Sequence, residues 1–462
     1  MYTFKGGVHP QEWKELSKDS SIQEAFPSSK TVTIPVTMGG APNEPLVKVG
    51  DTVVKGQLIA DSKAFVSAPV HASVSGTVKK ISTQMVTGNI EVPCITIQSD
   101  GTDSTAYMNP LDPLTCSHED AVKRVRDAGI VGMGGASFPT HVKLNPPKGI
   151  TVDYVLLNAA ECEPYLTIDY RTLKETPHKV IDGLAIIMKI TGGHGIVALE
   201  NNKIDLAALL QAEIVKQNRS NDIEVRVVKT KYPQGCEKNL ITACVNREVP
   251  AGKLPADSGC LVFNVGTACA IADAFRLGKP LIERGLTISG GACETPKNIL
   301  VPVGTLVGDL IPEVIKLKNG EVTKIISGGP MMGFAMTNAQ FPVAKGTSGV
   351  IFLTKGETYL TDESACIGCG KCVEVCPLHL TPVMMVRSLK ADNIEKAKSF
   401  GLMDCIECGC CSFTCPANMR LVQRFRIGKS IVRAQMAAEK AKAAAAKAAA
   451  ESAAAKSSGG NS

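Results

Sequence analysis

The chain has 462 residues, of which 44% are hydrophobic and 4% aromatic, and its formal net charge is +6. This length predicts three to five packed units rather than one core, and the composition is typical of a globular protein rather than a disordered chain. The modest charge argues against a nucleic-acid partner bound on a dedicated basic face. No apolar stretch has the length of a transmembrane helix or of a signal-peptide core, so we expect a cytoplasmic protein.

Residues 1–115 are predicted to form a β-rich domain, because short segments alternate apolar with polar side chains. Turn glycines at Gly50, Gly56 and Gly76 separate short strands between residues 46 and 81. With its KVGD, KGQ and SGTV segments, this stretch resembles the barrel-sandwich fold of lipoyl and biotinyl domains. The resemblance places Lys63 near the lysine that such domains modify. A structural role for the domain is the favoured interpretation, and modification of Lys63 is the alternative.

Residues 116–275 are predicted to form an α/β domain with a parallel sheet, since helix-like and strand-like segments alternate. The predicted helices cover 119–128 and 180–190, and the predicted strands cover 154–158, 196–199 and 223–228. Gly-rich turns follow strands, and ligands bind at that edge of such sheets.

The remaining chain is predicted to contain a small β-rich module at 276–350, a cysteine-rich domain at 355–433 and an Ala/Lys-rich tail at 434–462. The tail composition favours a helix without an apolar face. Basic residues between 420 and 433 leave a docking surface for an acidic partner or an anionic membrane open, although a solvated helix face is the favoured interpretation.

Nine of the 17 cysteines lie between residues 366 and 415, which in a cytoplasmic chain predicts metal rather than disulfides. Two runs repeat the spacing C-x-x-C-x-x-C-x-x-x-C-P of bacterial two-cluster ferredoxins, in which the fourth cysteine of each run serves the other cluster. The spacing therefore assigns one [4Fe–4S] cluster to Cys366, Cys369, Cys372 and Cys415, and the other to Cys376, Cys405, Cys408 and Cys411. Two zinc sites or an unused cysteine-rich loop are the alternatives. A zinc site needs only four ligands in two pairs, which does not explain two full runs that both end in proline.

Apolar neighbours of these cysteines are expected to shield the clusters from water and so to influence their potentials. They are Ile367, Val373, Val375, Ile406 and Phe413. Cys410, the ninth cysteine, is interpreted as a small buried residue.

A Gly-rich turn at 129–143 is the candidate for a phosphate site. Gly132, Gly134 and Gly135 would let backbone N–H groups approach a phosphate closely. Glycine turns also serve tight packing, so the turn alone is a weak signal.

Four segments strengthen that signal: GMGGASFPTHVK, NAAECEP, YPQGCE and FNVGT. In this order they resemble the segments that line the flavin and NADH pocket in the NADH-binding subunit of respiratory complex I. Cys236 and Ala160 depart from that pattern, and Ala160 stands where an acidic residue is usual.

The resemblance to that subunit implies a site for FMN and NADH but assigns no catalytic side chain. It implies that the flavin is held by Gly132, Gly134, Gly135, Lys143, Asn158, Glu161, Gly235, Asn264 and Thr267. It implies that NADH faces Phe138, Glu163 and Glu237, with Phe138 stacking. The alternative is that Phe138 is a core residue and that Glu161 and Glu163 are surface charges. A flavin fits between NADH, which gives two electrons at once, and clusters that take one each.

The chain as a whole resembles the C subunit of the Rnf ion-translocating ferredoxin:NAD oxidoreductase complex, over about residues 1–435. FKGGVHP at 4–10, the GGPMMG turn at 328–333 and both cysteine runs carry this resemblance. It implies a multidomain α/β and β fold: a barrel-sandwich domain, an FMN/NADH domain, a β-grasp module and an α-helical ferredoxin-like domain. It also implies a peripheral subunit on the cytoplasmic face of the membrane. The implied partners are a ferredoxin-like B subunit and integral membrane subunits that translocate the ion.

Two alternatives to this function remain open. One is a soluble flavin and iron–sulfur reductase such as a cobalamin reductase, against which FKGGVHP and the long β-rich N-terminus argue. The other is an electron wire or docking subunit without its own flavin.

Overall fold

The computed structural model describes residues 1–358 and 361–458, with side chains described as far as residue 443. The chain forms two compact units, one of residues 1–5 and 9–360 and the other of residues 6–8 and 361–462. Of the predicted tail at 434–462, residues 459–462 lie outside the described part. The predicted division into five domains stays a prediction.

The N-terminal region of the larger unit consists of short strands, as its alternating pattern predicted. They are β1 (Ile22–Glu24), β2 (Thr31–Pro35), β3 (Glu44–Pro45), β4 (Thr52–Val53), β5 (Leu58–Asp61), β6 (Val70–His71), β7 (Gly76–Val86) and β8 (Ile90–Ser99). Two sheets, β2-β8-β7-β4 and β3-β5-β6, enclose an apolar core that includes Val32, Ile59 and Ile95. Lys63 is exposed in the loop between β5 and β6, and its modification stays untested.

An α/β region follows, and every helix and strand predicted there is confirmed to within a few residues. Its elements are α1 (His118–Asp127), α2 (Thr140–Lys143), β9 (Tyr154–Ala159), α3 (Ile168–Glu175), α4 (Pro177–Thr191), β10 (His194–Glu200), α5 (Asp205–Lys216), β11 (Ile223–Val228), α6 (Glu237–Val245), β12 (Cys260–Asn264) and α7 (Val265–Arg276).

All four strands of this region are parallel, in the order β11-β10-β9-β12. Apolar side chains of β9 alternate between two cores: Val155 and Leu157 pack with α4 and α7, whereas Leu156 packs with α6. The chain enters the sheet at β9, builds outwards to β11 and then returns to the other side of β9. The strand order therefore reverses between β9 and β12, and the carboxyl edge at such a reversal is where ligands bind in open α/β sheets.

A third sheet completes the larger unit. Its later strands are β13 (Glu283–Ser289), β14 (Lys297–Pro302), β15 (Lys324–Ser327), β16 (Phe334–Met336) and β17 (Gly349–Leu353). Its order is β1-β14-β13-β17-β15-β16, so the N-terminal strand β1 joins residues more than 250 positions later in the chain, as Ile22 opposite Asn298 shows.

The smaller unit is helical. Its helices are α8 (Lys371–Glu374), α9 (Pro382–Lys390), α10 (Ile394–Ser399), α11 (Cys410–Phe413) and α12 (Leu421–Ser458). Met385, Leu402 and Phe425 lie in its apolar core. Among the described residues, no helix combines the length and the hydropathy that crossing a bilayer requires.

Two glycines of the FKGGVHP segment explain why residues 6–8 belong to the smaller unit. Gly7 donates its N–H to the Val375 carbonyl at 2.8 Å. Gly6 has a φ of 84°, and a Cβ there would lie 2.8 Å from the Cys376 carbonyl oxygen. Because any larger residue would collide with this backbone, the close approach requires glycine.

Candidate functional site

Two asparagines lie at the carboxyl ends of the central strands, where the strand order reverses. Asn264 ends β12 and caps α7, since its Oδ1 accepts the Gly266 N–H at 2.9 Å. Asn158 lies near the end of β9 and donates its Nδ2 to the Gly235 carbonyl at 2.7 Å. The parallel sheet thus brings together three predicted flavin-site residues, Asn158, Gly235 and Asn264, that are far apart in sequence.

The Gly-rich loop lies beside these asparagines. Gly132 donates its N–H to the Phe138 carbonyl at 2.9 Å, and Met133 donates to Thr267 Oγ1 at 3.0 Å, so the loop is fixed at its base and against α7. A Cβ on Gly134 would lie 3.2 Å from the Cβ of Asn264, a contact so close that the Asn264 side chain would have to shift.

The crest of the loop is exposed at residues 134–136. The structure records no acceptor for the backbone N–H groups of these residues within the described part of the chain. Open N–H groups on a Gly-rich turn suit phosphate oxygens. The loop therefore fits the phosphate of a flavin nucleotide.

Lys143 and Glu237 face each other across the site. The Lys143 ammonium forms an ion pair with the Glu237 carboxylate and donates to the Val262 carbonyl at 2.8 Å. It also lies 5.6 Å from the centre of the Phe263 ring. Phe138 is 40% exposed at the end of the Gly-rich loop, so its ring is available to a ligand and is not a core residue.

Glu161 and Glu163 occupy a tight loop after β9, and both carboxylates are engaged. Glu161 accepts the Asp169 N–H at 2.6 Å and so stabilises the first turn of α3. Glu163 accepts the N–H groups of Met331 and Met332 at 2.9 and 2.8 Å, which ties this loop to the GGPMMG turn. The alternative that these are free surface charges is therefore wrong.

Burial in this loop perturbs both acids. Loss of hydration raises the pKa of Glu161 to about 7 and the pKa of Glu163 to about 7. For Glu161, the nearby Lys14 ammonium opposes this shift. Both carboxyl groups thus titrate near neutral pH, which is unusual for glutamate.

Glu163 should make the free energy of unfolding fall as the pH rises from about 4.5 to about 7. Its pKa is higher in the folded chain than its ordinary value, so the folded state binds more protons in this window. We compare the free energy of unfolding of the wild type with that of Glu163→Gln. The wild type minus the variant should decrease by about 1–3 kcal/mol as the pH rises through this window. Denaturant unfolding at several pH values measures it, with exposed Glu15→Gln as the control. A difference that does not change with pH would contradict the prediction.

Three buried side chains that organise this site were not among the predicted residues. The first is Lys14, which donates to the carbonyls of Glu161, Glu163 and Leu166 at 2.7, 3.0 and 2.6 Å. Its neighbours in sequence give no signal, because all three acceptors lie about 150 residues away.

The other two missed residues are Asp169 and Arg284. Asp169 accepts the Asn264 Nδ2 at 2.7 Å, and burial raises the pKa of its carboxyl group. Arg284 donates to the carbonyls of Met133 and Thr347 at 2.9 and 2.6 Å, and burial lowers the pKa of its guanidinium to about 10. Asp169 lies shortly after the NAAECEP segment, so that segment pointed to its neighbourhood. None of the four segments that resemble the flavin and NADH pocket includes or adjoins Arg284.

The cysteine runs surround two cavities in the helical unit. One, the Cys408 cavity, is lined by Cys376, Cys405, Cys408 and Cys411, together with Cys410. The other, the Cys366 cavity, is lined by Cys366, Cys369, Cys372 and Cys415. Each cavity therefore takes three cysteines from one run and the fourth from the other.

This donor set fits two [4Fe–4S] clusters. In the described part of the chain, no three His, Cys, Asp or Glu side chains converge to suit a single metal ion. A [4Fe–4S] cluster instead needs four cysteine thiolates placed around a larger volume, and the four cysteines of each cavity are placed in this way.

The walls of the cavities differ in part from the expectation. Ile406 lines the Cys408 cavity as predicted, whereas Ile367 lines the Cys366 cavity but is 70% exposed and so shields it little from water. Phe413 is 55% exposed and lines neither cavity, so its predicted shielding role is wrong. Val373 and Val375 also lie outside both linings. The α9 and α12 side chains Met385, Val386, Val422 and Phe425 take their place, because the helices after each run pack over the cysteines.

Comparisons with protein families agree with this architecture. Residues 2–102 match the family model described as RnfC barrel sandwich hybrid domain, 125–273 the Nuo51 FMN-binding domain, and 358–416 the 4Fe-4S dicluster domain. These matches confirm the predicted fold class and the predicted flavin and iron–sulfur cofactors.

Curated relatives match over almost the whole chain. The C subunit of the proton-translocating ferredoxin:NAD(+) oxidoreductase complex of Clostridium ljungdahlii is 47% identical over 96% of this chain and 96% of its own length. The corresponding protein of the Na(+)-translocating complex of Acetobacterium woodii is 44% identical, over 94% of this chain and 98% of its own. That of the ion-translocating oxidoreductase complex of Rhodobacter capsulatus is 40% identical, over 93% and 83%.

Among solved structures, a chain of an NAD+-reducing [NiFe]-hydrogenase in the H2-reduced state is 18% identical, with a TM-score of 0.48. The match covers 66% of this chain and 61% of that chain.

Proposed function

The chain belongs to the family of C subunits of ion-translocating ferredoxin:NAD(+) oxidoreductase complexes, and on this premise we propose which of its residues hold each redox group. It is an oxidoreductase subunit that transfers electrons between NAD(H) and ferredoxin through FMN and two [4Fe–4S] clusters. One observation supports this assignment of residues to redox groups. A Gly-rich loop with open N–H groups meets Asn158 and Asn264 where the strand order reverses, in a chain that also has two four-cysteine cavities.

Residues around the strand reversal hold FMN. Gly132, Gly134 and Gly135 present the loop to the phosphate, and Lys143 supplies a positive charge at the end of the short helix α2 that follows the loop. Polar side chains and one close glycine line the remainder of the flavin. They are Asn158, Glu161, Gly235, Asn264 and Thr267.

NAD(H) lies over the exposed side of that site. Phe138 offers a solvent-exposed ring for stacking, and Glu237 lies opposite Lys143 within reach of hydroxyl or amide groups. Glu163 shapes the same wall through its bonds to the GGPMMG turn. When bound, the flavin converts between hydride transfer and single-electron transfer.

The protein contributes position and charge rather than acid–base chemistry. Lys14 and Lys203 fix the loop after β9 through four of its carbonyls, those of Ala160, Glu161, Glu163 and Leu166. Asn264 is held by Asp169. The eight cysteines hold the two clusters in the groups that the two cavities define.

We place the chain peripherally on the cytoplasmic face of the membrane, bound there by other subunits. Those subunits are a ferredoxin-like B subunit that exchanges electrons with it and integral membrane subunits that translocate the ion. Support comes from relatives that are named as subunits of ion-translocating complexes. One of two similar relatives is named as a subunit of a proton-translocating complex and the other as a subunit of a Na(+)-translocating complex. The identity of the ion is therefore a property of the complex.

Anaerobic reconstitution of the purified chain tests this proposal. With iron, sulfide and FMN supplied, we expect one tightly bound FMN and bleaching of the cluster absorbance by NADH. If the chain bound clusters but no FMN, and NADH did not bleach the cluster absorbance, the result would favour an electron wire without its own flavin. Cobalamin reduction by the NADH-reduced chain would favour the alternative reductase.

Replacing Lys143 should weaken FMN binding. Lys143→Met removes a charged hydrogen-bond donor beside the phosphate loop and leaves Glu237 without its ion-pair partner. A lost charged hydrogen bond costs about 1.5–3 kcal/mol, so Kd should rise by about 10- to 100-fold. Quenching of FMN fluorescence by the apoprotein measures it. Lys148→Met, at an exposed position five residues along, is the control, and an equal Kd in both variants would contradict the prediction.

A further inference from the structure

The two cysteine loops of the helical unit differ sharply in exposure. In the first run, Cys366, Ile367 and Cys369 are exposed, and Ile367 is 70% accessible to solvent. Cβ atoms built on Gly368 and Gly370 meet no atom within 4 Å, so nothing packs over that loop. Ile367 thus places apolar area beside two cluster ligands, where a bound partner would remove it from water.

The second run is sealed. Cys408, Cys410 and Cys411 are buried. Glu407 forms ion pairs with two cations, Arg426 at 3.1 Å and Lys429 at 2.9 Å, so both cations have an acidic partner within the unit. The Lys429 ammonium also bonds to the Cys405 carbonyl. This loop is therefore built into the core of the unit.

The two cavities also differ in the charged side chains that line them. The described lining of the Cys408 cavity contains no charged side chain. The lining of the Cys366 cavity contains two cations, Lys371 and Arg387, and no carboxylate. Both side chains are exposed, and neither forms an ion pair with any residue in the described part of the chain. Two unpaired cations thus flank Ile367 on the open side of one cluster site.

We propose that Ile367, Lys371 and Arg387 form a docking patch for an acidic iron–sulfur electron carrier, and that electrons cross between the two proteins at the Cys366 cavity. The proposal rests on the assigned clusters and deepens the proposed function by naming the surface at which the partner binds. Each encounter transfers one electron. The donor protein is oxidised by one electron, the acceptor protein is reduced by one electron, and no bond is formed or broken.

The composition of the patch suits a brief encounter rather than a permanent interface. Electron-transfer complexes are small, and opposite charges raise their association rates more than their final affinities. Exposed cations attract an acidic partner, while Ile367 supplies a dry contact over the cluster ligands. The sealed second loop offers neither feature.

Charge reversal in the reconstituted full chain tests the patch. The chain is reduced photochemically, without NADH, and mixed by stopped flow with an oxidised two-cluster ferredoxin of net negative charge. For the double variant Lys371→Glu/Arg387→Glu, we expect the second-order rate constant to fall by about 10- to 100-fold at low ionic strength and to lose its dependence on salt. Reduction of a small neutral dye should slow far less than reduction of the ferredoxin, because a neutral dye needs no charged surface.

The control reverses a cation of the same unit away from both cavities, the exposed Lys396 on α10. Lys396→Glu should transfer electrons to the ferredoxin at nearly the wild-type rate. An unchanged rate in the double variant, or an equal loss in Lys396→Glu, would overturn the proposal. The proposal would also be overturned if the double variant transferred electrons to ferredoxin at the wild-type rate but no longer bound anionic phosphatidylglycerol vesicles. That result would assign the patch to a lipid surface. Because NADH takes no part, failure of NADH to bleach the clusters would count against the proposed function alone.

Discussion

Cys376→Ala should remove the cluster of the Cys408 cavity and leave the other cluster bound. Although Cys376 belongs to the first run in sequence, it lines the cavity formed by Cys405, Cys408 and Cys411 of the second run. Loss of one of four thiolate ligands opens the cluster to solvent and oxidation. We expect the iron content of the reconstituted chain to fall to about half, from about eight to about four atoms per chain. Iron and sulfide analysis, together with the electron paramagnetic resonance signal of each cluster, measures the loss.

Double variants test whether the two runs exchange their fourth cysteine. Cys376→Ala combined with Cys408→Ala should lose no more iron than either single variant, because both residues serve one cluster. Cys376→Ala combined with Cys372→Ala should lose nearly all of the iron. If each run instead held its own cluster, these two outcomes would be reversed. Cys410→Ala is the matched control and should retain both clusters.

Lys14→Met should destabilise the larger unit. The Lys14 ammonium is 8% exposed and donates to three carbonyl oxygens between residues 161 and 166. The variant leaves these carbonyls buried without their donor, at a cost of about 3–5 kcal/mol in the free energy of unfolding. Glu161 also loses the cation that stabilises its charged form, so the loop of the flavin site should loosen.

The only tryptophan of the chain reports on this change. Trp13 precedes Lys14 and stacks on Tyr165, with ring centres 5.9 Å apart. Urea unfolding followed by tryptophan fluorescence should therefore show a lower midpoint for Lys14→Met than for the wild type. Lys18→Met, on an exposed side chain of the same segment, is the control. Equal midpoints for both variants would show that other donors replace Lys14.

Local signals predicted much of the fold and part of the site. The strand at Ile223–Val228 agrees with the prediction residue for residue, because a short apolar segment between turn residues has few other conformations. The Gly-rich turn and the cysteine spacings are local as well, since a phosphate loop and a cluster loop each need several ligands within a few residues.

Contacts between distant residues were not predictable in this way. Lys14 is an ordinary lysine in its own segment, and its acceptors in the loop after β9 lie about 150 residues away in sequence. Arg284 reaches Met133 from a different sheet. Phe413 follows a cluster ligand in sequence, yet α11 turns it towards solvent.

The sequence by itself determined the redox groups, because thiolate spacing and glycine placement are local requirements of the ligands. Cysteine spacing also predicted which fourth cysteine serves which cluster. Only the tertiary structure decided which buried lysine holds the flavin loop and which cluster site is open and positively charged. Burial and unpaired charge depend on what packs nearby, and that is a property of the folded chain.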